Sequence, residues 1–261
     1  MPSFEVSKPG LDQDPALVLK DVSLSIPVNS SEVRTLKKAF IRSVTGGALR
    51  RTKAGTSIEA LSNINCTINH GERVALIGHN GAGKSTFLRV ISGIYTPTAG
   101  AIRVLCSVYP MLTKGFITGP ELSGIQAIKG HYLLNHHNLK GFHSYCEDIV
   151  NFSGLGDFIH LPMKGYSAGM SARLMFALVT SGSHDCLALD EGIGAGDSEF
   201  FDRAQVRLQS FIESAGTLIL ASHSDGLLKR FCNRGLVFRQ GKIVFDGLLD
   251  EALSYYHDFN R

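Results

Sequence analysis

Apolar positions along the chain follow two periods. Val22, Leu24 and Ile26 alternate with Ser23 and Ser25, and Ile64, Cys66 and Ile68 alternate with Asn63, Asn65, Thr67 and Asn69. Both patterns predict half-buried strands, the second leaving through a turn at His70-Gly71-Glu72. Ile102, Val104 and Cys106 predict one more. Val74–Ile77, Cys186–Leu189 and Leu218–Ala221 are short unbroken apolar runs, as expected of strands covered on both faces. Helical spacing occurs in Val33, Leu36, Phe40 and Val44, with Gly46 and Gly47 ending that helix. A helix is expected from about Lys84 to Ser92, stopped by Thr96-Pro97-Thr98-Ala99-Gly100. The stretch 120–185 reads as mostly helical, as in Ile125, Ile128, Tyr132 and Leu133. Leu236–Phe245 predicts a hairpin around Gln240-Gly241, and a last helix should run from Leu249 to Tyr256. Residues 1–15, with Pro2, Pro9 and Pro15, read as a loose tail. Buried strands alternating with helices predict a parallel sheet and an α/β core.

Composition narrows this picture. The chain has 261 residues, 44% apolar and 19% charged, enough for a large buried core and unlike disorder, collagen or coiled coil. The net charge of +3 is too small to imply nucleic acid, and no nucleic-acid partner is expected. Five cysteines, at 66, 106, 146, 186 and 232, form no CxxC pair and read as reduced thiols. The longest apolar run noted, Leu174–Val179, cannot span a bilayer. The first residues, with Glu5, Asp12 and Asp14, lack the pattern of a signal peptide. The 28 glycines are about one and a half times the usual share, which points to close approaches between backbone and ligand.

The densest chemistry lies at 78–86, GHNGAGKST: Gly78, His79, Asn80, Gly81, Ala82, Gly83, Lys84, Ser85 and Thr86. This fits GxxxxGK[ST] between an apolar strand and a helix. Gly78, Gly81 and Gly83 permit positive φ, so backbone N–H groups can converge on β- and γ-phosphate oxygens. Lys84 adds charge for binding and catalysis, Ser85 offers a hydroxyl to Mg²⁺, and the helix start favours anions. Cys186-Leu187-Ala188-Leu189-Asp190-Glu191 is an apolar strand ending in two acids. Asp190 can hold the Mg²⁺ shell, and Glu191 can take a proton from an attacking water. Alone such a run is a weak signal, since many strands end in surface acids; after a phosphate loop it becomes strong. His223, just past the run Leu218–Ala221, stands where ligands meet parallel strands, and its sharper reading is a γ-phosphate sensor.

Taken in order, these motifs resemble the nucleotide-binding subunits of ABC transporters, over about residues 17–250. GHNGAGKST resembles the Walker A loop, CLALDE the Walker B strand with its catalytic acid, and ASHS the switch His. Tyr166-Ser167-Ala168-Gly169-Met170 stands in the place of the signature LSGGQ, and Gly194-Ala195-Gly196-Asp197 in that of the D-loop. YSAGM, DEGIGAGD, PELSG at 120–124 and the long insert at 29–58 look like the subunits that export O-antigen, capsule and teichoic acid. The resemblance implies a P-loop, RecA-like parallel-sheet core in residues 16–261. An antiparallel β subdomain accompanies it, with a helical subdomain at about 120–180 carrying the signature. It also implies ATP and Mg²⁺ as ligands, a homodimer in which Ser167 and Gly169 of one copy cover ATP held by the other, two membrane permease subunits, and residence on the cytoplasmic face of the bacterial inner membrane. No carbohydrate-binding domain is expected after the ATPase.

The sequence departs from the family at three places. Ile26 and Pro27 stand where an aromatic usually stacks on adenine; no Gln occurs in 110–119; Ala168 and Met170 replace the first Gly and the Gln of the signature. Two other classes share the phosphate loop. An ABC ATPase of DNA repair or translation would want a coiled coil or two cores. A GTPase would want an NKxD-type guanine motif, which the sequence lacks, and a small-molecule kinase would give no reason for YSAGM or for His223. The basic stretch 34–53, seven Lys or Arg and no acid, fits either a solvated face or a surface for anionic lipid or permease.

Overall fold

Strand β1 (Pro15–Val28) buries Leu17 and Leu19 and then Val22 and Leu24, so its inward face changes parity midway. The cause is a bulge at Asp21, which adopts φ 51° and exchanges hydrogen bonds with Asn65: Asp21 N donates to Asn65 Oδ1 and Asn65 Nδ2 to Asp21 Oδ1, each 2.9 Å. The alternation from Val22 therefore marks only half the strand. Pro15, placed with the tail by sequence, pairs with Asn69, and a proline at the first strand position costs no ladder bond.

The structure is a computed structural model and describes residues 14–28, 48–52, 55–111, 119–182, 184–190 and 198–259. The predicted helix at 31–44 and its glycine stop at 46–47 lie outside these residues. After β1 come β2 (Ala48–Thr52), β3 (Gly55–Asn69) and β4 (Arg73–Ile77), then α1 (Lys84–Ile91). β5 (Ala99–Val104) takes in Ala99 and Gly100, assigned by sequence to the helix stop, and ends before Cys106, assigned by sequence to the strand. Gly100 (φ 82°) packs so closely under the Asp21 bulge that a Cβ would lie 2.3 Å from the Asp21 carbonyl oxygen. β6 (Val108–Met111) was not anticipated, because Pro110 lies inside it. Among the described residues β6 pairs only with β7, so it stands at the sheet edge, the position where a sheet tolerates proline.

Helices α2 (Gly124–His136), α3 (Phe142–Ser153) and α4 (Ala168–Val179) follow. The chain then continues through β7 (Cys186–Leu189), α5 (Ser198–Ser214), β8 (Thr217–Ala221), α6 (Asp225–Phe231), β9 (Arg234–Arg239), β10 (Lys242–Leu248) and α7 (Leu249–Asp258). One sheet runs β2-β3-β1-β5 and is antiparallel. The other runs β10-β9-β4-β8-β7-β6, parallel except for the β10 hairpin strand.

The fully buried parallel strands divide their side chains between two cores. Val74, Leu76, Ala188, Ile219 and Leu236 pack with α1 and with the antiparallel sheet. Ala75, Ile77, Leu187, Leu218 and Val237 pack with α5, α6 and α7 through residues such as Phe211, Leu228 and Leu253. Each such Val, Leu or Ile contributes roughly 1.5–3 kcal/mol by burial, which is why these runs carry no polar face. Helices α2, α3 and α4 hold a third core around Ile128, Ile149 and Leu174. Where that layer meets edge strand β6, His131 is buried, with its ring 2.5 Å from Tyr145 Oη and 3.4 Å from Tyr109 Oη. Burial, and then the nearby His184 and His136, push its imidazole down to about 4. Arg207 of α5 pins the layer from outside, donating to both oxygens of Asp148 (3.0 and 2.6 Å) and to Thr180 Oγ1. All five cysteines are free thiols. Among the described residues no helix is long and apolar enough to cross a membrane.

Candidate functional site

The parallel strands bring their C-terminal ends to one edge, where ligands bind in open α/β sheets. The loop 78–83 leaves β4 at that edge, Asp190 leaves β7, and His223 follows β8, which lies between them. All three loop glycines have the positive φ expected: 149° at Gly78, 82° at Gly81 and 114° at Gly83. Gly78 is tightest, since a Cβ there would lie 2.5 Å from the Phe238 carbonyl oxygen. Gly83 is the N-cap of α1 and uses no side-chain cap; no acid stands in the first turn, so the helix's positive end is uncompensated from within. Lys84 is buried at 7% exposure and turns its ammonium back into the loop, donating to the carbonyls of Gly78 and His79. A buried cation needs such acceptors, and those bonds place the charge inside the glycine cradle. Ser85 and Thr86 occupy the first turn behind it, half-buried. Ala82 N donates to His79 O (3.1 Å), closing the loop on itself.

Two partners of this loop were not read from the sequence. Gln240 and Gly241 have φ 48° and 75°, both positive as in a tight two-residue hairpin turn. Gly241 N donates to Ala82 O (2.9 Å), while its carbonyl accepts from Ser62 N (2.8 Å). The turn thus joins the phosphate loop to strand β3 of the other sheet. The second partner is His223, whose Nε2 lies 2.8 Å from Asn80 Oδ1. The hairpin itself was legible from sequence, but its docking against residue 82 had no local signal.

Asp190 is half-buried, and its N–H donates to Met111 O (3.3 Å). Glu191 and the segment Gly194–Asp197 lie outside the described residues. Among the described residues, no group of three His, Cys, Asp or Glu could hold a metal alone. One hydroxyl, Ser85, and one carboxylate, Asp190, fit Mg²⁺, which keeps waters and phosphate oxygens as its other ligands.

Ser167 and Gly169 are carried by the helical layer, not by the sheet edge. Ser167 caps α4, its Oγ accepting from Met170 N (3.1 Å), and no acid stands in that first turn either. Among the described residues a Cβ on Gly169 would meet only Ser167 Oγ, at 3.9 Å, which leaves room above it. The two segments PELSG and YSAGM are stitched together. Just ahead of YSAGM, Lys164 N donates to Pro120 O (2.8 Å) and Met163 N to Leu122 O (2.9 Å), and Tyr166 Oη lies so close over Gly124 that a Cβ there would be 2.6 Å from it. Ser123 and Gln126 form a reciprocal capping box at the start of α2.

Residues 61–194 match the model of the ABC transporter family. The O-antigen export system ATP-binding protein of Yersinia enterocolitica is 38% identical over 234 residues, covering 89% of this chain and 98% of that protein. The corresponding protein of Myxococcus xanthus is 34% identical over 93% of this chain, which spans 56% of its length. The capsule polysaccharide export ATP-binding protein of Neisseria meningitidis is 34% identical, over 76% of this chain and 89% of that one. A solved ATP-binding subunit of an ABC transporter superposes with a TM-score of 0.63 at 19% identity, over 93% of each chain. A dimeric ATP-binding cassette solved with ADP and Pi gives 0.62 at 18% identity, over 89% of this chain and 98% of that one. These two carry the fold, a P-loop NTPase core with its accessory layers. With half the sequence inside the family model and a 38% identical relative matched almost end to end, the chain belongs to the ABC transporter family, among its ATP-hydrolysing cassettes.

Proposed function

We propose that this chain is the ATP-hydrolysing subunit of a bacterial exporter that moves a lipid-linked polysaccharide of the O-antigen class through a separate membrane permease. The observation that carries the ATPase half is the sheet edge where the glycine cradle, Lys84, Asp190 and His223 meet. The cargo rests on the relatives, whose names run across O-antigen, capsule and teichoic acid export. In this reading Gly78, His79, Asn80, Gly81, Ala82 and Gly83 wrap the phosphates with backbone N–H groups, and Lys84 exchanges its carbonyl acceptors for anionic oxygens. Ser85 and Asp190 would hold Mg²⁺, which would offset the negative charge of the phosphates. Glu191 takes the proton of the attacking water, and His223 donates to the terminal phosphate. Ser167 and Gly169 of a second copy close the open side of ATP, so the working unit is a homodimer. Two permease subunits receive the motion at the cytoplasmic face of the inner membrane, where the basic stretch 34–53 meets lipid headgroups or the permease.

The test is complementation in the host of origin. Removing the gene should strand lipid-linked polysaccharide inside the cell, and the wild-type chain should restore it to the surface. Lys84→Ala should not restore it. Glu191→Gln should bind ATP yet hydrolyse it ~10²–10⁴ times more slowly, the usual worth of a positioned base. Normal surface polysaccharide with Lys84→Ala would overturn the proposal.

A further inference from the structure

We infer that Asn80 is a positioning residue for His223, selecting the tautomer and the aim of its ring before nucleotide arrives. This rests on the ATPase reading of the site above. Asn80 is the third residue of the phosphate loop, on the turn leaving β4; His223 follows β8, the next strand in the sheet. Their side chains meet at 2.8 Å, His223 Nε2 to Asn80 Oδ1. An amide oxygen has lone pairs and no proton, so the ring nitrogen must be the donor. A neutral imidazole bonded in this way carries its proton on Nε2, and its Nδ1 is then an acceptor.

That is the form the reaction needs. A terminal phosphate oxygen is an acceptor and cannot bind an unprotonated ring nitrogen. The wrong tautomer would set two lone pairs against each other. An anionic oxygen is a stronger acceptor than an amide. The Nε2–H that Asn80 receives can therefore pass to phosphate without a change of tautomer, by a small movement at the mouth of the loop. The loop's own backbone is held independently of this contact: Ala82 N bonds His79 O, and Gly241 N bonds Ala82 O. Shortening the Asn80 side chain therefore releases His223 and leaves the loop's fastening intact.

The experiment uses the full chain with ¹⁵N-labelled histidine, nucleotide-free, with the His223 signal identified by its loss in His223→Ala. The wild type should show one tautomer with the proton on Nε2. Asn80→Ala should show an averaged mixture. Asn80→Asp, nearly isosteric and still an acceptor, should restore the Nε2–H signature. In steady-state hydrolysis Asn80→Ala should lower kcat about five- to tenfold with KM for ATP little changed, the scale of one misplaced hydrogen bond. In a His223→Ala background Asn80→Ala should add nothing, because the residue acts only through the ring. A pure Nε2–H signal in Asn80→Ala, or additive losses in the double variant, would overturn the assignment. If the wild type hydrolyses no ATP, the proposed function fails instead, and the tautomer spectra alone still decide the role of Asn80.

Discussion

Gly78 and Gly130 show how differently two glycines of one chain can be constrained. At Gly78 the backbone holds φ 149° and a Cβ would lie 2.5 Å from the Phe238 carbonyl oxygen. Gly78→Ala should therefore cost roughly 1–3 kcal/mol of strain and push β9 away from the loop. A lowered Tm, with no further rise on adding ATP and Mg²⁺, would be the result in a thermal melt. Gly130 lies inside α2 with nothing within 4 Å of its Cβ position. Gly130→Ala should raise stability by about 0.5–1 kcal/mol, because it only removes freedom from the unfolded chain; an unchanged or lower Tm would contradict this. At this scale much of the loop was legible. The motif demands converging N–H groups, and Gly78, Gly81 and Gly83 took the positive φ that this requires. The Phe238 carbonyl that crowds Gly78 was not legible, since nothing near residue 78 names a neighbour from the far end of the chain.

Among the elements, the junction between the helical layer and strand β6 has its own pH response. His131 on α2 is buried against Tyr145 of α3 and Tyr109 of β6. Its imidazole is pushed down to about 4 in the fold, against about 6.5 in the unfolded chain. Between those values the unfolded state binds the extra proton, so stability rises with pH there. It is complete above about pH 6.5 and is lost as pH falls towards 4. The gap amounts to roughly 3 kcal/mol. His131→Gln should flatten that slope when unfolding by urea is compared at pH 7 and pH 5. An equally steep slope in the variant would assign the effect elsewhere, first to His184, which burial pushes the same way. Elements whose period was unbroken, such as β4, α1 and the 234–248 hairpin, could be read from sequence. Those that failed share a local exception. The Asp21 bulge reversed the parity of β1 and hid Leu17 and Leu19, and Pro110 masked an edge strand.

For the whole molecule, the single chain separates the two halves of the proposed nucleotide site. The phosphate loop stands on the sheet edge, and Ser167 with Gly169 stands on the helical layer. Because the described residues leave room over Gly169, Gly169→Asp should fold normally while setting a carboxylate against phosphate. Mixing that variant with Lys84→Ala, and isolating mixed dimers through two tags, gathers both defects in one site and leaves the other whole. Mixed dimers should trap up to one ATP each where neither parent traps any; no gain over the parents would reject a shared site. Strand order was beyond the sequence, since Cys186–Leu189 and Leu218–Ala221 are interchangeable apolar runs that name no neighbour. That order has a consequence for how the protein is made. Strand β4 leaves the ribosome well before its two sheet partners, β8 and β9, and before the Gln240–Gly241 turn that fastens Ala82. A nascent chain stalled at residue 230 already contains the whole of GHNGAGKST, Asp190 and His223, yet it lacks the wall against which the loop is shaped. Such ribosome-bound chains should not retain a fluorescent ATP analogue, while chains carried past residue 250 and clear of the exit tunnel should. Nascent chains that still lack β9 and its turn should then be blind to the cell's ATP, and neither consume it nor clamp around it.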